Sequence, residues 1–413
     1  MSATGGRTRP WHASGPADGR GDFALYVHVP FCVRRCHYCD FAVTRVREAP
    51  VDEWLACLAL ELEGRRARGE LVGTPFLDTI FVGGGTPSLL GAVGVEELAA
   101  LLARHFRWDP SRVEWTLEAN PGSVGREDCR AWLRAGVNRL SLGVQSFGDH
   151  ALRWLGRLHD AAEARAAVGR ARDAGFGNLN VDLIFGLPED VGRDWGRDVE
   201  TAAELGATHV STYGLTAETG TPLGRMVELG RASLADEERY EREYLEAVDR
   251  LETAGFRVYE VSNHALPGLE CRHNWHYWIG TDYYGLGPSA HSFVGGERSW
   301  NVRRWEAYRT ATRAGEDPRE GRERPDGDRS RLERAWLGLR TRRGLALEEV
   351  EGCPAARAVV TRWESSGWAR REGGRLRLTP AGWLRMDALV AQLDGAWDDV
   401  GAGATEGQRG GRR

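Results

Sequence analysis

The amino-acid sequence predicts an α/β fold: an open, partial (β/α)6 barrel followed by a smaller C-terminal α+β domain. Short apolar runs alternate with amphipathic stretches from Phe23 onward, which is typical of a parallel sheet covered by helices. Six such units are found, too few to close an eight-stranded barrel, so we expect an open barrel whose reactive edge lies at the carboxyl ends of the strands. A charged segment that contains Pro and Gly, residues 315–329, separates these units from a second set of predicted helices and a hairpin.

Each element of the barrel is predicted from its local pattern. Apolar runs predict six strands, over residues 24–29, 77–82, 113–119, 139–144, 179–185 and 209–215. The clearest helices between them cover residues 51–68, which place Trp54, Leu55, Leu58 and Leu62 on one face, and residues 161–174, which end before Gly175. A further helix over residues 235–254 and a short strand over residues 257–261 follow the sixth unit.

The sequence divides into six segments of different composition. Helical patterns near 332–340, 345–351 and 355–366, a hairpin over 368–378 and a final helix opened by Thr379 and Pro380 are the order of elements in a winged helix. We therefore predict a leader without fixed structure (1–21), the partial barrel (22–234), an aromatic extension (235–314), a solvated linker (315–329), a winged-helix-like domain (330–396) and a tail without fixed structure (397–413).

Charge and cysteine usage exclude several classes of protein. The 55 basic residues nearly balance 60 acidic ones, a net charge of -5, which argues against a general affinity for nucleic acid or an anionic membrane. Three of the seven cysteines are clustered and the other four are scattered without paired spacing, as expected of a reducing cytoplasm without disulfides. No apolar run approaches the roughly 20 residues that span a bilayer, although an organelle transit peptide within the leader stays open.

A cysteine motif directly follows the first predicted strand. Cys32, Cys36 and Cys39 lie within eight residues. A cluster of four irons and four sulfurs has four iron corners, so three thiolates would leave one iron without a protein ligand. The alternative is a structural zinc ion, which needs a fourth ligand from His37 or a distant cysteine because no second C-x-x-C is present.

The cysteine spacing after a strand resembles the radical SAM superfamily. The run Tyr26-Val-His28-Val-Pro30-Phe31-Cys32 narrows the resemblance to the branch that holds the oxygen-independent coproporphyrinogen dehydrogenases and the related HemW family of haem chaperones. The resemblance implies a TIM-like partial barrel of the radical SAM type, a 4Fe-4S cluster held by the three cysteines, and S-adenosylmethionine (SAM) bound to the open iron. In that superfamily one-electron cleavage of SAM gives a 5′-deoxyadenosyl radical.

A glycine-rich run follows the second predicted strand. Gly83-Gly84-Gly85-Thr86-Pro87 lacks side chains that would keep a ligand away from the backbone amides, although a run of this kind is also compatible with a simple tight turn. By the resemblance, the segment formed by Gly84, Gly85 and Thr86 holds the amino group of SAM.

Polar residues interrupt the later apolar strands. Glu118, Gln145 and Asp182 fall within or at the end of the third, fourth and fifth strands, and a buried polar residue there indicates a ligand or a satisfied hydrogen-bond network, two alternatives that local sequence does not separate. By motif match to the coproporphyrinogen dehydrogenases, the residues that contact SAM are these three together with Arg157, Tyr26 and Tyr38; Thr216 matches only loosely.

An aromatic run in the extension bears on the choice between the two related families. His273-Asn274-Trp275-His276-Tyr277-Trp278 matches the hallmark of the HemW family, which implies haem binding by His273, Asn274, Tyr277 and Trp278. Imidazole is a common haem ligand and aromatic faces suit a flat macrocycle, whereas an aromatic core patch is the competing interpretation. His291, in the nearby run from Gly285 to His291, has no predicted role.

Two function hypotheses follow from the resemblance. The first is a haem chaperone that binds the cluster, SAM and haem and passes haem to respiratory haem proteins. The second is an oxygen-independent coproporphyrinogen III dehydrogenase; it is disfavoured because those enzymes carry a fourth cysteine where this chain has Phe41. A nucleic-acid-binding regulator is disfavoured by the acidic balance. Expected partners are haem, its protein acceptors and a reductant for the cluster, and we also consider a homodimer and transient contact with membrane-bound acceptors.

Overall fold

The protein is described by a computed structural model that covers residues 23–406, with side chains described for residues 23–398. Its strands, in chain order, are β1 (Phe23–Val29), β2 (Phe31–Cys32), β3 (Thr44–Arg45), β4 (Leu77–Gly84), β5 (Glu114–Ala119), β6 (Arg139–Gln145), β7 (Asn178–Phe185), β8 (His209–Gly214), β9 (Arg257–Glu260), β10 (Asn263–Ala265), β11 (Tyr283–Leu286), β12 (His291–Val294), β13 (Glu297–Asn301), β14 (Arg319–Glu323), β15 (Leu345–Ala346), β16 (Ala369–Glu372) and β17 (Arg375–Leu378).

The α-helices alternate with these strands over the first half of the chain. They are α1 (Val51–Ala67), α2 (Gly91–His105), α3 (Arg126–Ala135), α4 (Asp149–Leu155), α5 (Ala161–Ala174), α6 (Trp195–Glu204), α7 (Pro222–Glu228), α8 (Glu237–Thr253), α9 (Arg272–Trp278), α10 (Trp305–Arg313), α11 (Gly327–Leu339), α12 (Glu348–Glu351), α13 (Pro354–Ser365), α14 (Pro380–Trp383) and α15 (Met386–Glu406). In the described part of the chain no helix is both long enough and apolar enough to cross a membrane.

The six predicted strands correspond to β1 and β4 to β8, each within two residues of the predicted ends. They lie side by side in chain order and pair in parallel, which brings all of their carboxyl ends to one edge. Apolar side chains cover one face of these strands, whereas buried polar side chains such as Thr116, Arg139 and Asn180 lie on the other. On the predicted face of α1, Trp54, Leu58 and Leu62 are fully buried and Leu55 is half-buried. Helix α5 begins at the cap residue Asp160, whose side chain accepts the Glu163 N–H, and ends at Gly175 with φ 113°.

The same sheet continues beyond both ends of the predicted barrel. Strand β11 pairs in parallel with β1, and β12, β13 and β14 then follow in antiparallel order. At the other end β10 and β9 add antiparallel strands beside β8. The resulting sheet of twelve strands is not closed, which confirms the open barrel. Of these additions only β9 was predicted, as the short strand over residues 257–261, because the residues that form β11 to β13 showed only an irregular aromatic pattern.

The C-terminal elements form their own apolar core. Helices α11 to α15 pack with the three-stranded sheet β15-β17-β16 around a cluster that includes Trp363, Leu376 and Leu393. Part of the segment predicted as a linker forms strand β14, which pairs with β13 and is the last strand at that edge of the sheet. Helix α15 also extends to Glu406, into the segment predicted as a tail. The predicted leader, 1–21, and residues 407–413 lie outside the described residues, and the segment boundaries stay a prediction.

One buried carboxylate joins the barrel to the extension. Glu61 of α1 is 2% exposed and accepts hydrogen bonds from Arg65 Nη2 (2.7 Å), the Gly287 N–H (2.9 Å), Asn301 Nδ2 (2.8 Å) and Tyr308 O–H (2.6 Å). These donors come from the same helix, the turn after β11, the end of β13 and helix α10. A charge can be buried at this point because every donor compensates its lost hydration.

We expect Glu61→Ala to lower the free energy of unfolding by about 3–5 kcal/mol, because it leaves the Arg65 guanidinium buried without its partner. Glu63→Ala, at an exposed site on the same helix, is the control and is expected to change stability by less than about 0.5 kcal/mol. Urea unfolding followed by circular dichroism measures both; an equal loss in the two variants would contradict the assigned role of Glu61.

Candidate functional site

A cavity of about 440 Å³ lies at the carboxyl ends of the parallel strands, and we call it the first cavity. Most of the residues predicted as ligands line it. They are Cys32, Cys36, Tyr38, Cys39, Gly84, Gly85, Thr86, Glu118, Gln145, Arg157 and Asp182. They come from loops and strands more than a hundred positions apart, and they meet because parallel strands in chain order present their ends at one edge.

The three clustered cysteines are free thiols on the loop that follows β1. Cys32 Sγ lies 3.3 Å from the Thr86 hydroxyl, and Arg157 donates to Cys36 Sγ over 3.3 Å. Burial raises the pKa of Cys32 to about 11 and also raises the pKa of Cys39, while the Arg157 charge opposes both shifts. The guanidinium is therefore placed to favour thiolates over thiols at this loop.

The donor set fits an iron-sulfur cluster better than a single zinc ion. Within residues 23–398 no three His, Cys, Asp or Glu side chains are grouped so that they could hold one metal ion. His37, the other possible fourth zinc ligand, does not line the cavity, and its Nε2 edge packs against Gly156. The remaining four cysteines are buried elsewhere and do not line the cavity. A four-iron cluster takes each thiolate at a different iron corner, so three thiols around one cavity suit it.

The glycine-rich segment passes close to the cysteine loop. A Cβ atom on Gly85 would lie 2.5 Å from the Phe31 carbonyl oxygen, so any larger residue would push the two segments apart. Gly84 has φ 113°, and its N–H donates to Glu118 Oε2 over 3.0 Å. The glycine-rich run therefore ends strand β4 and bends at Gly85, and Gly84 and Gly85 also form part of the cavity wall.

Two half-buried carboxyl groups, those of Glu118 and Asp182, line the first cavity from β5 and β7. Burial, with a smaller contribution from Asp182, raises the pKa of Glu118 to about 8, although the Gly84 N–H opposes the shift. Burial likewise raises the pKa of Asp182, against hydrogen bonds from Asn180 Nδ2 (2.7 Å) and the Ser141 hydroxyl (3.4 Å). Groups whose pKa is shifted by burial and by a neighbouring charge are concentrated at functional sites, because binding and catalysis depend on their protonation state.

Some polar atoms at this cavity have no protein partner. Gln145 Oε1 and Arg157 Nε are buried and without a hydrogen-bond partner within residues 23–398. Gln145 also has φ 73°, a left-handed conformation that costs a residue other than glycine of order 1–3 kcal/mol. An unsatisfied acceptor held in a strained conformation at a cavity indicates a site built for a ligand.

Tyr26 is the predicted SAM contact that does not line the first cavity. Its ring faces a second cavity of about 420 Å³, on the other side of β1, and its hydroxyl bonds to His28 Nδ1 over 3.0 Å. The Glu118 charge still contributes to raising the pKa of Tyr26 after burial, so the two sites are close neighbours. We call this space the second cavity.

The predicted haem motif lies wholly within helix α9, and most of its side chains contact other parts of the fold. His273 is 1% exposed; its Nδ1 bonds to the Thr79 hydroxyl and its Nε2 to the Tyr277 hydroxyl, both at 2.8 Å. The Trp278 ring lies under the Arg340 guanidinium, 4.5 Å from the ring centroid, and Asn274 hydrogen bonds to Tyr259. Of this motif, Tyr277 alone lines the second cavity. The role of His273 as haem ligand stays a prediction, and it would require the ring to give up its bond to Tyr277.

The sequence did not single out several residues of the two cavities. Asn120, Ser141, Tyr213 and Glu218 line the first cavity, as does the loosely matched Thr216. Tyr213 could have been found, because it ends the sixth strand in the same way that Gln145 ends the fourth. His291, in contrast, lines the second cavity only through the unpredicted pairing of β11 and β12.

Comparison with known proteins agrees with this geometry. The family model "Radical SAM superfamily" matches residues 26–202. The heme chaperone HemW of Mycobacterium tuberculosis is 39% identical over 377 residues, which cover 90% of this chain and 95% of that protein. The heme chaperone HemW of Escherichia coli is 37% identical over 274 residues, which cover 66% of this chain and 70% of that protein. The structure of coproporphyrinogen III oxidase (HemN) from Escherichia coli has a TM-score of 0.76 at 21% identity, covers 91% of this chain and 90% of that one, and shows the shared fold. The chain therefore belongs to the radical SAM superfamily and, within it, to the HemW family.

Proposed function

We propose that this protein is a haem chaperone that holds a 4Fe-4S cluster and SAM in the first cavity and carries haem for transfer to respiratory haem proteins. The observation that carries the proposal is the meeting of three free thiols with unpartnered polar atoms at one cavity. Relatives named heme chaperone HemW support the haem part of the proposal.

The residues of the first cavity divide between the two cofactors. Cys32, Cys36 and Cys39 would hold the cluster, and an open iron with bound SAM supplies one-electron cleavage of the sulfonium. The carboxyl groups of Glu118 and Asp182 and the amide of Gln145 would orient SAM by hydrogen bonds. The segment Gly84 to Thr86 would bring backbone within reach of the SAM amino group, and Tyr38 and Arg157 would cover the cluster.

Haem would lie against the aromatic extension. The His273 ring fixes the Tyr277 hydroxyl at 2.8 Å, so the motif shapes the wall of the second cavity even where its side chains do not face it. Asn274 and Trp278 would act through the same packing. We propose a reducing cytoplasm as the location, since all seven cysteines are free thiols. A reductant for the cluster, a homodimer and contact with membrane-bound acceptors belong to the same proposal.

We expect the variant in which Cys32, Cys36 and Cys39 are all replaced by Ala to lose the broad visible absorption of the reconstituted protein, since only these thiols share a loop at ligand spacing. The matched control replaces Cys57, Cys129 and Cys271, which are buried outside the cavity, by Ser or Ala and should retain the absorption if it folds. Full iron and sulfide content in the first variant would count against the assignment.

Adding SAM to the reduced cluster is expected to change its electron paramagnetic resonance spectrum, because SAM binds the iron that lacks a thiolate. Asp182→Asn replaces one acceptor oxygen by a donor, and a charge-assisted hydrogen bond contributes about 1.5–3 kcal/mol. The Kd for SAM should therefore rise about ten- to a hundredfold. Asp173→Asn, at a site 61% exposed on α5, is the control. A spectrum that saturating SAM leaves unaltered would exclude this site.

The reconstituted protein is expected to bind haem and to leave coproporphyrinogen III unchanged under anaerobic conditions. The reason is Phe41, which stands where the dehydrogenases carry a fourth cysteine. Parallel haem titration and product analysis test the two functions on the same sample. Stoichiometric vinyl product with consumption of SAM would replace the chaperone proposal by the dehydrogenase one.

A further inference from the structure

The second cavity is lined by an imidazole ring that makes no hydrogen bond within residues 23–398. His291 is exposed and begins β12, and neither of its ring nitrogens has a hydrogen-bond partner among residues 23–398. Its ring stacks on Trp300, with centroids 5.9 Å apart and planes 25° apart, which fixes the orientation of the ring without using its nitrogens. Although the residue is exposed, partial desolvation of the ring, with a smaller effect of Arg298, lowers the pKa of His291, which favours the neutral form that binds metal.

The other histidines of this region are already committed to the fold. His28 bonds through Nδ1 to Tyr26 and through Nε2 to the Ala42 carbonyl, both at 3.0 Å. His273 bonds to Thr79 and Tyr277 as described above. His276 bonds through Nδ1 to Thr281 (2.6 Å) and through Nε2 to Asp78 (3.0 Å) and is 2% exposed. Each of these rings would have to break an internal bond before it could bind iron.

The phenols at the second cavity are poorer ligands than His291. The Tyr26 and Tyr277 hydroxyls are bonded to histidine nitrogens, and burial raises the pKa of both phenols, so neither gives the phenolate that would bind iron. Burial also raises the pKa of Tyr283, whose hydroxyl interacts with Arg298. The cysteine thiols do not line this cavity.

We infer that His291 is the axial ligand of haem iron and that haem binds in the second cavity, between the cysteine loop and the aromatic extension. This inference rests on the proposed function, since it assigns the haem site of the chaperone. It moves the iron-binding role from the hallmark motif to an exposed imidazole that the motif faces across the cavity. His273 is then a positioning residue, which holds the Tyr277 side of the cavity wall.

The cavity has the surfaces that a haem macrocycle needs. Its volume of about 420 Å³ lies within the range of about 300–1,000 Å³ typical of ligand sites. Phe41 is 66% exposed at its rim and offers a flat apolar face. Arg303 lines the same rim, where it pairs with Asp40 at 3.1 Å. Because both partners are more than half exposed, this ion pair is weak, and a haem propionate can compete for the guanidinium.

The backbone before His291 is built to hold that residue in place. Ser289 has φ 61°, and it and Gln145 are the two non-glycine residues with left-handed backbone in the part of the chain that the structure describes. Gln145 lines the first cavity and Ser289 the second. Gly285 lies so close to the His291 carbonyl that a Cβ atom would approach its oxygen to 2.1 Å. Strain retained in two places, each at a cavity, indicates two ligand sites.

The test is a haem titration of the reconstituted full-length protein, with resonance Raman and paramagnetic resonance spectra to identify the axial ligand apart from the cluster absorption. We expect His291→Ala to lose the signature of nitrogen ligation and to raise the Kd for haem at least about tenfold. Added imidazole should restore the signature, because the variant leaves space at the iron. His273→Gln should weaken binding with the nitrogen signature intact, and His150→Ala, an exposed histidine on α4, should change neither.

The outcomes separate this inference from the proposal on which it rests. If wild-type protein binds haem and His291→Ala keeps the nitrogen signature, the inference is overturned while the chaperone proposal stands. If His273→Gln loses the nitrogen signature while His291→Ala keeps it, the iron ligand belongs to the motif and the inference is likewise overturned. A wild-type protein that binds no haem overturns the proposed function, and the assignment of His291 with it.

Discussion

The position of β1 between two parallel partners is the constraint on which the rest of the site depends. Strand β4 pairs with it on one side and β11 on the other. The cysteine loop leaves the carboxyl end of β1, so it is bordered by a cavity on each side. One is formed with the ends of the later barrel strands, and the other with the extension. Glu61 holds this arrangement because a single buried carboxylate accepts donors from α1, the turn after β11, β13 and α10.

Hydrogen-bond accounting separates structural from functional polar groups here. A buried polar atom without a partner costs about 1–3 kcal/mol, so most of them in a fold are satisfied internally. His28, His273 and His276 follow this rule with both ring nitrogens bonded, and residue type alone would have made each a candidate ligand. At the first cavity, Gln145 Oε1 and Arg157 Nε are buried without a hydrogen-bond partner among residues 23–398. At the second cavity, the exposed ring of His291 makes no hydrogen bond within the same residues, unlike the neighbouring histidines. Other buried atoms, such as Trp115 Nε1 and His264 Nδ1, also have no partner among residues 23–398, so an unpartnered atom indicates a ligand only where it lines a cavity.

The barrel and the first cavity could be predicted from the sequence because the signals are local. Apolar runs gave the six strands within two residues, and the spacing of Cys32, Cys36 and Cys39 is contained in one loop. The second cavity could not be predicted, because it depends on contacts between distant residues. Ala24 pairs with Tyr283, and His273 bonds to Thr79 across 194 positions. An aromatic, histidine-rich run has the same composition whether its rings face a ligand or the core, so only the register of β11 on β1 decides the role of each.

The two cavities share part of one wall. Asp40 and Phe41, directly after the last cysteine, line both cavities. The contact of this segment with the extension includes the exposed ion pair between Asp40 and Arg303, which adds little stability. The floors of both cavities are, in contrast, parallel strands with buried side chains. Hydrogen bonds from Arg303 to the Asp40 carbonyl and from His28 to the Ala42 carbonyl also hold the segment of Asp40 and Phe41 in place. The two proposed sites therefore share one polypeptide segment, so a change in the path of Asp40 and Phe41 would alter the lining of both.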